Sequence, residues 1–198
     1  MESKKSGRRV TRTRRSLSDA LVALILEKRF DSITVRNVID RADVGRSTFY
    51  AHFRDKEDLF LSAWKDLLDW FVSRIEWEQA REQRFMPVRD LFQHVQEFHP
   101  FYQALARSRK TNFIFKRGLN HLTDGMERSL NSFLTDKPQP SVPVTVVSNY
   151  PASEILGLLR WWLENNRPYT PERMDQIFHD LVTPGFRTAV WRIDVDAK

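Results

Sequence analysis

The sequence predicts an all-α protein in which a small three-helix head is joined by a long connector helix to a larger helical body. Three observations carry that expectation. Apolar residues recur at i, i+3, i+4 and i+7 in segment after segment, the spacing that puts them on one helix face. No run of alternating apolar residues finds a partner strand elsewhere in the chain. Positive charge is concentrated at one end: residues 1–56 hold 14 Lys and Arg against 7 Asp and Glu, whereas residues 57–198 hold 18 against 19. A chain of 198 residues with 41% hydrophobic composition can bury a small head and a separate body.

Residues 1–10 are rich in charge and lack periodic apolar positions, so they are expected to form a flexible basic arm. Leu17, Ala20, Leu21, Leu24 and Ile25 then share one face of a helix that runs to about Lys28, and Phe30 closes the core beneath it. Thr34 stands at an N-cap position ahead of Val35, Val38, Ile39 and Ala42. Ala42-Asp43-Val44-Gly45 is a tight connection to a third short helix, in which Phe49 and Phe53 lie one turn apart. Helices this short are not stable alone and must pack as one unit. The expected head is 11–57 and the expected body 58–198.

Asp55 to Asp58 is an acidic capping box that opens the connector helix, with Leu59, Phe60, Ala63, Trp64, Leu67, Leu68, Phe71, Val72 and Ile75 as its broad apolar stripe. Pro87 opens a helix interrupted at His99-Pro100, and another spans 111–134. The three prolines between Asp136 and Pro143 mark a loop. The valines at 142–147 suit a strand by branching, but without a partner strand a helix is expected. Pro151 starts or bends a helix that is apolar nearly all round, carrying Ile155, Leu156, Leu159, Trp161 and Trp162, so one side needs a partner beyond its own core. Thr170-Pro171-Glu172 supplies an N-cap, a proline at N1 and a first-turn acid for the last helix, which Pro184-Gly185 is expected to end.

The two short helices around Ala42–Gly45 have the length and separation of a helix-turn-helix, whose second helix presents its N-terminal residues to base edges in the major groove. Thr34-Val35-Arg36, Ala42 through Phe53 and Asp55-Lys56-Glu57-Asp58-Leu59 resemble the head of the TetR repressor family. The resemblance is close over about Thr13 to Leu61 and rests on helix count beyond. It implies an all-α homodimer that binds double-stranded operator DNA, with a small-molecule effector in each body. Carried over by position, Thr34 and Arg36 would touch phosphates, Arg46, Ser47 and Thr48 would read the groove, and Tyr50, His52 and Lys56 would hold phosphates. Two positions depart from the family pattern: Asp43 stands where glycine is usual, and Gly45 replaces the usual hydroxyl cap. The segment Leu158–Glu164 with Pro168–Glu172 resembles the last hairpin of one subgroup, which implies dimerisation through the helices of 152–183.

Phe92, Phe98, Phe101, Tyr102, Phe113, Phe115, Met126 and Phe133 have the character of pocket lining or of plain core, and no ligand-binding residue follows from them. His94, His99 and His121 lack the spacing of a helical metal pair, and with no cysteine no metal site or cofactor is expected. No phosphate loop, nucleophile elbow or zinc-protease motif is present, so no catalytic residue is named and the chain is expected not to be an enzyme. No apolar run reaches the roughly 18 residues of a membrane span, and a cytoplasmic location is expected. The rival expectation is a helical adaptor of the same fold acting through a protein partner.

Overall fold

A computed structural model of the chain describes residues 2–106 and 109–191. Every regular element among them is helical: α1 Glu2–Glu27, α2 Val35–Ala42, α3 Arg46–His52, α4 Lys56–Ser73, α5 Val88–Glu97, α6 His99–Ala106, α7 Thr111–Phe133, α8 Val144–Glu164 and α9 Pro171–Val190, with short 3-10 turns at Phe30–Ser32 and Trp77–Arg81. α1 begins at Glu2, so residues 2–10, expected as a non-helical arm, are helical. A segment without an apolar stripe lacks a packing face, but Glu, Lys and Arg are good helix formers and no proline interrupts them.

The chain divides into two compact units, residues 1–66 with 100–114, and residues 67–99 with 115–198. The expected boundary at 57/58 therefore falls inside α4. In the first unit the α1 face of Leu17, Leu21, Leu24 and Ile25 is buried together with Phe30, Ile33, Val38, Phe49, Phe53, Leu59 and Phe60. Residues 100–114 add to this core. Phe101 lies 5.7 Å from Phe60 and Tyr102 lies 6.0 Å from Trp64, ring centre to ring centre. Burial pushes the Tyr102 hydroxyl far above the usual tyrosine range, so it stays neutral.

In the second unit α5 and α8 both pack on α9. Phe92 meets Trp162 edge-on at 5.0 Å, and Trp162 donates its indole N–H to the Tyr169 carbonyl at 2.8 Å, which closes the α8–α9 turn. The α9 cap forms as the Thr170-Pro171 pattern predicts, with Thr170 accepting from the Arg173 N–H. A buried polar cluster ties the start of α5 to α9. The His179 Nε2 accepts the N–H groups of Phe85 and Met86 at 3.3 and 3.4 Å, and the Asp175 carboxylate accepts the Arg89 N–H at 3.2 Å and pairs with Arg84 at 2.7 Å. Accepting at Nε2 places the imidazole proton on Nδ1, beside the Asp175 carbonyl at 2.9 Å. α7 passes α4 so closely that a Cβ at Gly125 would stand 3.1 Å from a Val72 methyl.

The valine-rich stretch is helical, as expected, and α8 starts at Val144 with Pro151 inside it. Pro184 does not end the last helix: α9 continues to Val190. Phe186 and Val190 are both buried beyond the proline, and Phe186 lies 4.8 Å from Phe85 and 5.5 Å from Trp77. Burial of those rings outweighs the loss of one backbone hydrogen bond. Pro184 is exposed, so replacing it relieves the helix without opening a cavity. Pro184→Ala is therefore expected to restore a donor for the preceding turn and raise stability by about 1 kcal/mol or more, measured by thermal unfolding. A lower melting temperature would show that the proline shapes a needed bend.

Candidate nucleic-acid interface

The head's candidate surface is built on two caps and a turn. At the start of α2 the Thr34 hydroxyl accepts the Asn37 N–H at 3.2 Å, while the Asn37 side-chain oxygen accepts the Thr34 N–H at 3.0 Å. Lys28 also donates to that oxygen, at 2.9 Å. Asn37 was not among the expected site residues, though the Thr-x-x-Asn spacing signals its reciprocal cap. α2 ends on Asp43 in the left-handed conformation, φ 52° and ψ 50°, a geometry that a short polar side chain tolerates better than most. α3 then starts on Gly45 with no side-chain cap.

From this turn Arg46, Ser47 and Thr48 all face solvent, while Phe49 immediately behind them is fully buried and Phe53 nearly so. The buried rings hold α3 down so that its opposite face stays outward. Arg46 and Tyr50 are brought together: the guanidinium lies 5.7 Å from the centre of the Tyr50 ring, which is 49% exposed and packs edge-on against Phe49 at 5.4 Å. Arg36 projects into solvent from α2 near Asp40, at 3.7 Å. His52 is half-buried beside Phe53. Arg14, which sequence reasoning passed over, lies 4.7 Å over the Phe53 ring and donates to the Ser62 hydroxyl at 2.5 Å, tying α1 to α3 and α4.

Lys56 is placed differently. Its ammonium donates to the carbonyls of Phe30, Asp31 and Ile33, at 2.6, 3.3 and 2.6 Å, and sits 4.7 Å over the Phe30 ring. All three of its donors serve the connection between α1 and α2. Burial lowers its pKa from the usual lysine range, but three acceptors at once need the full ammonium, so it remains charged at neutral pH. Nearby, the Asp31 carboxylate accepts the Arg109 N–H at 3.2 Å, which fastens the segment before α7 to the same turn. The α4 start forms the acidic box: the Asp55 carboxylate accepts the Asp58 N–H at 2.7 Å, and Asp58 accepts the Arg54 N–H at 3.0 Å.

The family model described as bacterial regulatory proteins of the tetR family matches residues 17–63, and a second, described as a transcriptional regulator C-terminal region of the TetR type, matches residues 86–184, half of the chain. The chain belongs to the TetR family of transcriptional regulators. It is 23% identical over 185 residues to the uncharacterized HTH-type transcriptional regulator YxbF of Bacillus subtilis, and 24% identical over 124 residues to the fatty acid metabolism regulator protein of the same organism. Those alignments cover 88% and 60% of this chain but 46% and 64% of the two relatives, so the chain spans about half to two thirds of their length. A TetR-family regulator from Syntrophomonas wolfei has the same fold, with a TM-score of 0.62 at 19% identity over 89% of this chain and 93% of the other.

The regulator's candidate pocket aromatics divide between the units. Phe101 and Tyr102 belong to the first, Phe92 and Met126 are fully buried in the core of the second, and Phe98 is exposed. His121 pairs with Asp69 at 2.6 Å. Among the described residues no group of three or more His, Asp or Glu side chains is arranged to hold a metal ion, and no helix is long and apolar enough to cross a membrane.

The clamp makes Lys56 a stability residue of the head. Lys56→Met keeps the length of the side chain and loses three charge-assisted hydrogen bonds, so unfolding is expected to be easier by about 2–3 kcal/mol. A melting temperature equal to that of the unaltered regulator would show that the ammonium is not engaged in solution.

Proposed function

We propose that this regulator is a homodimeric repressor that binds a palindromic operator through two heads and is released by a small molecule held in its body. The observation that carries the DNA reading is the outward face of α3, where Arg46, Ser47 and Thr48 stand in solvent over the buried Phe49. In this reading Arg46 pairs bidentately with guanine, Ser47 and Thr48 serve bases or phosphates, and Thr34, Arg36, Tyr50 and His52 hold the backbone. Lys56 acts at the phosphate through its backbone N–H and that of Glu57, because first-turn N–H groups of a helix have no intrahelical acceptor and its ammonium is occupied.

Two heads are required, since a single head meets one half-site and successive major grooves are about 34–36 Å apart. The surface of α8 and α9 supports a self-association of that kind. Val146, Tyr150 and Trp161 on α8 and Leu181 on α9 are exposed, and a Cβ added at Gly157 or Gly185 would meet nothing within 4 Å. Apolar stripes punctuated by small residues suit close helix packing against a second copy. Release follows if the effector prefers the conformation whose head spacing misses the operator, because only differential affinity shifts the equilibrium.

Binding to DNA upstream of the regulator's own gene, followed by gel shift over a salt series, tests the reading. Site-specific binding is expected, with Arg46→Ala weakening it about tenfold or more, the worth of one good bidentate base contact. Weak, sequence-blind binding unaffected by Arg46→Ala and Tyr50→Ala would favour an adaptor acting through a protein partner. Leu181→Asp is expected to shift the dimer to monomer in sedimentation and to abolish tight operator binding; a dimer of unchanged stability would place the interface elsewhere.

A further inference from the structure

The second unit carries a cavity of about 980 Å³ between the loop before α8, the 3-10 turn Trp77–Arg81 and the end of α9. Its walls combine three cations, Arg81, Lys137 and Arg187, with the apolar side chains of Leu134, Val190 and Trp191. Among the described residues no Asp or Glu lines it. Lys137 pairs with Glu78 at 3.0 Å and lies over the Phe133 ring at 3.4 Å. Arg81 acts electrostatically on Glu78, the carboxylate that pairs with Lys137, and among the described residues the buried Nε of Arg187 has no hydrogen-bond acceptor. The Arg187 guanidinium donates to the Arg81 carbonyl at 3.4 Å.

Two features make this a preformed site. The loop wall is pinned, because Ser141 sends both its N–H and its hydroxyl to the Ala189 carbonyl, at 2.9 and 3.0 Å. The cations are also positioned: Arg81 lies 5.5 Å from the centre of the Trp191 ring, which itself packs on Phe186 at 6.0 Å. A buried guanidinium N–H without an acceptor is unfavourable, and an anion supplies what it lacks. Leu134, Val190 and Trp191 offer an inorganic ion nothing, whereas an apolar or aromatic body fits against them.

The geometry points to a binding site for an organic monocarboxylate, its carboxylate held by Arg187 and Arg81 and its apolar body lying against Trp191, Leu134 and Val190. The site specifies a ligand class for the body, and its binding does not depend on whether the ligand releases DNA.

Calorimetric titration of the full chain with 4-phenylbutyrate, its neutral amide 4-phenylbutyramide, and inorganic phosphate tests the site. The carboxylate is expected to bind about tenfold more tightly than the amide, the worth of one charge-assisted pair, and phosphate at equal concentration is expected not to displace it. Arg187→Gln is expected to lose about tenfold in affinity. Arg81→Gln, at an exposed position, is expected to do the same with an unchanged melting curve, which keeps the result readable if Arg187→Gln fails to fold. Arg46→Ala must bind the carboxylate as the unaltered protein does, so that loss of DNA binding and loss of this site are told apart. Equal affinity for acid and amide, displacement by phosphate, an Arg81→Gln protein that binds normally, or no saturable binding would overturn the assignment. Carboxylate binding that leaves operator affinity unchanged would uphold the site and count against effector release.

Discussion

The head depends on one half-buried cation. Between α1 and α2 the chain turns through Phe30–Ser32 and emerges extended at Ile33; the Phe30 carbonyl accepts the Ile33 N–H at 3.1 Å, and the turn gathers the carbonyls of Phe30, Asp31 and Ile33 around one point. Unpaired carbonyls in that position would be expensive. The Lys56 ammonium takes all three, and the Phe30 ring supplies an apolar and weakly negative floor. Thr34 follows directly and caps α2, so the clamp fixes where α2 begins and, through the Asp43 turn, how α3 is aimed. A point charge at the start of α4 thus orients two helices it does not belong to.

The same turn links the head to residues far along the chain. Asp31 accepts the Arg109 N–H, and Phe101 and Tyr102 complete the aromatic layer around Phe60 and Trp64. The head core is therefore finished by a segment from the middle of the sequence. This arrangement gives the 3-10 turn two anchors, one on α4 and one before α7, and a change at either anchor acts on the start of α2 by backbone hydrogen bonds alone.

Helix positions were legible because burial follows period 3.6: the α1 and α3 faces named from spacing are the buried ones, the α2 face is buried at Val38 and half-buried at Val35, Ile39 and Ala42, and the Thr170-Pro171 cap is where the pattern places it. The outward position of Arg46, Ser47 and Thr48 was legible for the same reason, since Phe49 and Phe53 fix the inner face. What the pattern could not convey was three-dimensional coincidence. Lys56 looks like any cation ahead of an apolar stripe, and only the folded turn shows that its donors are taken. Residues 100–114 carry no mark of belonging to the head. Pro184 shows the limit of breaker rules, because the value of burying Phe186 and Val190 beyond it is invisible to local sequence.

Gly45 and Tyr50 together bear on how selectively α3 would read DNA under the proposed function. A serine or threonine at position 45 would cap the helix from its side chain; Gly45 leaves that end of α3 uncapped, and a Cβ there would stand in ordinary van der Waals contact with Thr48 Oγ1 at 3.7 Å. α3 is therefore held mainly by Phe49 and Phe53 beneath it, not by a polar lock at its tip. In the proposed DNA complex Arg46 would compensate in part, since its cation–π contact with Tyr50 narrows the rotamers of a long side chain and leaves less conformational entropy to be lost on binding a base. If α3 reads DNA as proposed, selectivity in this head would rest on one pre-oriented guanidinium and two short hydroxyl side chains. Under that proposal such a surface would favour a guanine under Arg46 and tolerate variation at the neighbouring steps, because hydroxyls serve either a donor or an acceptor.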